Sequence, residues 1–133
     1  MIPAANGFLN GDFAVAEQSS YTFYLDIDRN VVFGFTDNLD AMRQAIYLIL
    51  ETERYQYVIF SWNYGIELLD LFGRQMTFVL PEIKRRVTEA LLQDTRILRL
   101  EDFDFKVNKN IVLTTFTAAT IYGDILIQKA VGF

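Results

Sequence analysis

The spacing of apolar positions changes several times along this chain, and each change predicts a new element. YTFYLDI, residues 21–27, alternates Tyr21, Phe23, Leu25 and Ile27 with Thr22, Tyr24 and Asp26, the period of a half-buried strand. Asp28-Arg29-Asn30 reads as a turn and Val31-Val32-Phe33-Gly34-Phe35 as a short return strand. The period then lengthens. Leu39, Met42, Ile46, Ile49 and Leu50 recur at three- and four-residue steps, which puts one apolar stripe on a helix over about residues 38–51. Asp37 suits its N-cap, with Asp40 as a weaker relative of the capping-box acid. Tyr47 and Leu48 fall off the stripe, so a second helix face is expected to be covered.

The stretch ILETERYQYVIFSWNYGIELLDLFG, residues 49–73, follows. The apolar helix runs out at Thr52-Glu53-Arg54 and gives way to an extended segment carrying Tyr55, Tyr57, Phe60, Trp62 and Tyr64. Gly65 turns it into a short helix that Gly73 closes from a left-handed position. Arg54 cannot shed its charge in such apolar company, so it needs carboxylate or carbonyl partners. Glu51 and Glu53 are the nearest acids. Arg54, Glu51, Glu53, Trp62, Tyr64 and Gly65 are therefore expected to form a structural brace.

Pro81 fits the first turn of a second helix. Ile83, Val87, Ala90 and Leu91 line one face; Glu82, Arg85, Arg86 and Glu89 are expected to face water. That helix should end near Gln93 or Asp94. The tail reads as strand. Leu98, Leu100, Phe103, Phe105 and Val107 keep a period near two, with a slip at Glu101-Asp102 that predicts a bulge. Asn108-Lys109-Asn110 and Tyr122-Gly123-Asp124 mark turns before IVLTTFTAAT and ILIQKAV. The expected fold class is α+β: an N-terminal β-hairpin, two main helices plus a short helix, and a C-terminal antiparallel three-stranded meander. Residues 1–20, with Pro3, Gly7 and Gly11, read as a flexible or partner-ordered arm with Phe8 and Phe13 as anchors. Residues 21–133 read as a single domain.

Composition narrows the chemistry. Twelve Phe and seven Tyr in 133 residues leave two readings, a tightly packed core or an exposed apolar partner surface. A net charge of −5 without a basic face argues against nucleic acid. Lys84-Arg85-Arg86 reads as a solvated helix face. No run reaches the ~18 apolar residues of a membrane helix. With no Cys and no His, disulfides, thiolate and imidazole metal sites and the usual nucleophile–base pairs are absent. No cofactor is implied, because no glycine-rich phosphate loop occurs. Only carboxylates remain for catalysis: Glu51, Glu53, Glu67 and Asp70 cluster in sequence. Two such acids could split a glycosidic bond, but Glu67 and Asp70 share one helix face as solvated acids do.

Three stretches together resemble the baseplate wedge, or sheath-initiator, family of contractile phage tails, in the branch of Gram-positive prophages and phage-tail-like particles. They are helix 38–51 with LETER at 50–54, SWNYGIELLDLFG at 61–73, and EIKRRVTEALLQDTRILRLEDFDF at 82–105. The family's Glu-Pro-Arg signature reads Asp94-Thr95-Arg96 here, so acid and Arg are retained in type and the proline's rigid turn is lost. The resemblance implies a structural, non-enzymatic protein, assembled in the host cytoplasm into the baseplate of a virion or tail-like particle. Its implied partners are other wedge proteins, the tail sheath protein, and hub or tube proteins. Asp94 and Arg96 would serve as a docking corner. The terminal strand, with Ile125, Ile127, Val131 and Phe133, would be an open β-edge guarded only by Lys129, suited to extension by a partner strand. The alternatives are a lysozyme-like carbohydrate-active enzyme using paired carboxylates and an adaptor domain of another secretion machine.

Overall fold

A computed structural model describes residues 19–132; the expected arm over residues 1–20 lies outside it except for Ser19 and Ser20, as does Phe133. Strands β1 (Thr22–Asp26) and β2 (Val31–Thr36) pair as an antiparallel hairpin. Asn30 closes it at φ 54°, a left-handed conformation that Asn adopts more readily than most residues. Phe23 pairs with Phe35 and Leu25 with Val32, so Tyr24 faces both Phe33 and Gly34. Gly34, at φ 63°, relieves this bulge.

The hairpin is not half-buried as its alternation predicts. Phe23 is 62% exposed, and Phe33 and Phe35 are exposed with it. The reason is how it meets α1 (Asn38–Glu51). The Gln44 side chain accepts from Leu25 N–H and donates to Phe23 O, both at 2.9 Å, so the helix grips the edge of β1 and covers neither face. The rings pack on one another instead: Phe35 stacks on Tyr21 at 5.0 Å and on Phe23 at 5.1 Å.

Helix α1 forms where cap and stripe agree. Asp37 accepts Asn38 N–H at 2.7 Å and the Ser20 hydroxyl. These two bonds, Ser20 foremost, hold its carboxyl below the usual range. Met42, Ile46, Ile49 and Leu50 are buried, with Ala41 beside them.

Helix α2 (Met76–Leu91) begins earlier than Pro81 suggests and places that proline inside it. The ring forfeits one N–H bond, to Thr77, at the sixth residue of the helix, and the helix continues past it to Leu91. The extra turn is held by Phe78 and Val79 N–H, both 3.0 Å from Gln75 O, and by full burial of Val79. Gln75 makes no side-chain cap bond, so no start signal marks the position.

Strands β3 (Ile97–Asn108), β4 (Ile111–Thr120) and β5 (Gly123–Gly132) form the expected meander, ordered β3-β4-β5. The bulge falls where the alternation slips: pairing moves from Glu101–Thr117 to Asp104–Thr115, with Asp102 at φ 58°. Leu100 and Phe103 both reach the core as a result, and Phe103 stacks on Phe116 at 5.1 Å. Helix α1 packs against β5 and α2 against β3. The core between helices and sheet includes Met42, Ile46, Ile83, Leu91, Phe116 and Ile125.

One core group is unsatisfied. The Thr114 hydroxyl is buried in β4 and has no hydrogen-bond partner among the described residues. Thr114→Val keeps the shape and removes a desolvated polar atom. The variant is expected to gain about 1 kcal/mol, or about 4 °C in Tm, by thermal unfolding. A loss of stability would mean that the hydroxyl is bonded in solution.

Candidate functional site

Two regions concentrate the sequence-predicted residues: a braced corner around Arg54, and the far edge of the C-terminal sheet. The corner is set by backbone. Glu53 and Ile66 form a parallel bridge in which Arg54 N–H donates to Ile66 O at 3.0 Å and Ile66 N–H to Thr52 O at 2.9 Å. The Arg54 side chain, 9% exposed, donates through Nε and Nη2 to Gly65 O at 3.3 and 3.2 Å. Its Nη1 donates to Glu89 Oε1 at 3.1 Å.

The acid that meets Arg54 is thus Glu89 of α2, not Glu51 or Glu53. Successive residues of an extended bridge project to opposite sides, so Glu53 points away from Arg54. Its Oε1 accepts Leu68 and Leu69 N–H at 3.0 and 3.1 Å. Glu51, on the last turn of α1, pairs with Lys129 of β5. Trp62 is not in the brace: it is 80% exposed and tilts against Tyr55 at 5.7 Å. Tyr64 is half-buried and stacks on Phe60 at 4.6 Å, and burial pushes its hydroxyl pKa up. The expected short helix shrinks to one 3₁₀ turn, Leu69–Leu71.

The polar face of α2 also departs from expectation. Arg86 does not face water; it donates to Glu67 O at 2.9 Å and pairs with Asp70 and Glu82, so the Leu-rich turn is tied to α2. The Arg86 hydrogen bond holds the Asp70 carboxyl below its usual range. Arg85 bonds both Glu82, at 2.8 Å, and Glu89, at 3.2 Å, which links this cluster to Arg54. Glu89 lies 35 residues from Arg54, and nothing local to either residue signals the pairing.

The aromatic segment of residues 55–64 is a run of turns rather than an extended strand. Phe60 N–H donates to Tyr57 O at 3.3 Å and Tyr64 N–H to Ser61 O at 3.1 Å. Its tip leaves Val58 and Ile59 exposed, Ile59 at 86%. With the hairpin, it gives the chain two exposed aromatic projections, so the core does not absorb the aromatic excess.

Asp94 and Arg96 come together at the end of α2. The Asp94 carboxylate accepts Arg96 N–H at 2.9 Å, Nε at 3.0 Å and Nη2 at 2.7 Å. Burial alone would raise the Asp94 pKa, but the Arg96 bonds outweigh it and hold the carboxyl below its ordinary value. The pair borders an open cleft of about 950 Å³ with Gln44, Ala45 and Tyr64.

The sheet's two edges are guarded differently. β3 carries Arg99, Glu101, Asp102, Asp104 and Lys106 and is kinked by its bulge. Strand β5 carries only Asp124 and Lys129, and Lys129 is drawn back to Glu51. No strand pairs with the outer edge of β5 among the described residues. Ile125, Ile127 and Val131, expected to touch a partner, are buried in the core. Alternation along β5 turns these side chains toward the helices, so the strand offers its backbone edge in their place.

Comparison with known proteins identifies the family. The profile of the contractile injection system sheath initiator family matches residues 17–123. The chain is also 32% identical over 119 residues to the phage-like element PBSX protein XkdS of Bacillus subtilis (strain 168), covering 86% of this chain and 84% of that protein. The chain belongs to the contractile injection system sheath initiator family. A sheath initiator is a structural part of a phage tail or tail-like particle, and the prophage relative agrees with the resemblance in the motifs. The profile match reaches β5 only at its first residue, Gly123. No described helix is long and apolar enough to cross a membrane.

Proposed function

We propose that this sheath initiator is a non-catalytic joining subunit of the tail baseplate. It binds neighbouring wedge proteins and offers the outer edge of β5 as the strand on which the first sheath ring is laid. The observation that carries the reading is the contrast between the charged, bulged edge of β3 and the bare edge of β5. Exposed sheet edges are normally blunted by charge, proline or bulges, and an unblunted one is a template for strand addition. The exposed rings of the hairpin and of residues 55–62 supply apolar contact area for wedge subunits. Hub or tube proteins are further candidates for those contacts.

The carboxylates weighed for sugar chemistry have structural partners: Glu53 bonds two backbone N–H groups, Glu51 pairs with Lys129, and Asp70 with Arg86. Glu67 is exposed. That disposition favours assembly over hydrolysis. The test is deletion of the gene in the strain that makes the particle, followed by electron microscopy. Particles without an extended sheath are expected. Fully sheathed, contractile tails would overturn the proposal.

A further inference from the structure

The edge of β5 does not stand in open solvent on both sides. A groove of about 360 Å³ runs beside it, walled by Arg43, Tyr47 and Glu51 of α1 and by residues 126–130 of β5. Five consecutive residues of a strand point alternately to opposite faces, so a groove lined by all of them follows the strand's edge. Arg43, Tyr47 and Glu51 are spaced by four and share one helix face. At 1.5 Å per residue their row covers about 12 Å, nearly the ~13 Å spanned by four steps of a strand. A strand added to β5 would lie along this row.

The charges in the groove do not balance. Glu51 is neutralised by Lys129. Arg43 is exposed and has no ion pair among the described residues. The groove therefore holds one uncompensated cation in a chain whose net charge is −5. Tyr47, 37% exposed, offers a flat apolar wall between the two charged positions.

We infer that Arg43 and Tyr47 select the strand that β5 accepts, and that this strand carries an acidic side chain opposite Arg43. The inference rests on the joining role proposed above and adds the chemistry of recognition. Main-chain hydrogen bonds of an added strand supply affinity to almost any sequence; side chains beside the edge supply the choice. The guanidinium rewards a carboxylate and repels a basic residue. Tyr47 packs on the stem of the same strand.

The test uses the full-length protein and purified sheath subunits of the same particle, with co-sedimentation and backbone hydrogen exchange as readouts. Sheath subunits are expected to protect the amides of residues 123–132 in the natural protein. Arg43→Glu is expected to weaken binding by about tenfold or more while Tm stays within about 2 °C of the parent, since an exposed surface change costs little. Arg43→Lys keeps the charge and is expected to retain most of the binding. Tyr47→Ala, at an exposed position, is expected to weaken it less than charge reversal. If Arg43→Glu binds as the parent does and β5 is still protected, selection by the groove is wrong and the joining role stands. If sheath subunits leave β5 unprotected in the parent protein, both fail. Concentration-dependent protection of β5 in the protein alone would make the occupant a second copy and overturn the acidic strand.

Discussion

Gly65→Ala is expected to destabilise the protein by about 4 kcal/mol, a fall of about 15 °C in Tm for a chain of this size. Gly65 sits at φ +94°, where an L side chain is strained whatever space surrounds it. Space is also lacking: a Cβ there would come within 2.5 Å of Thr52 O. That oxygen accepts Ile66 N–H at 2.9 Å, so it cannot retreat without opening the bridge that sets the corner. The same change displaces Gly65 O, on which two of the Arg54 donors converge. Gly73→Ala separates the two causes. It has φ +79° and nothing within 4 Å of the added Cβ, so it carries backbone strain alone, about 1 kcal/mol. Equal losses for the two variants in thermal or urea unfolding would show that the close approach at Gly65 is unimportant.

Arg54→Ala is expected to cost about 3 kcal/mol, or about 10 °C. Truncation removes the bonds to Gly65 O and Glu89 and the stem that packs under the corner. It does not strand a buried acid, because Glu89 is partly exposed and keeps Arg85 at 3.2 Å; the loss therefore stays at the lower end for buried pairs. Arg54→Lys is expected to recover less than half of it, since an ammonium lacks the fork that reaches Gly65 O and Glu89 together. Arg54 and Gly65 act as one unit, so the double variant is expected to lose less than the sum of the single losses. Additive losses, or an Arg54→Ala protein with an unchanged Tm, would remove the brace from the account.

Much of the fold was legible because its signals are local. Helix α1 carries its cap, stripe and length within residues 37–51, and the structure places it at Asn38–Glu51. The β3 bulge announces itself as a three-residue step between Leu100 and Phe103 in a period-two pattern. Pro81 misleads because a proline is favoured in a first turn, whereas the start of α2 is fixed by burial of Val79. The aromatic-rich residues 55–64 read as an extended segment, yet no strand among the described residues pairs with them and the segment folds into turns. That Arg54 must be satisfied was readable from its surroundings; that Glu89 satisfies it was not, because tertiary packing of α2 brings the two together. The bare edge of β5 was visible as a shortage of guarding charges. Its apolar residues were expected at a partner, but their alternation turns them to the core.

The central claim concerns the outer edge of β5, and a density map of the assembled baseplate with its first sheath ring tests it most directly. The expected result is a strand from a sheath subunit running antiparallel or parallel beside residues 123–132, with Arg43 next to one of its acidic side chains. A sheath ring seated elsewhere on the subunit, with the β5 edge open to solvent, would contradict the account.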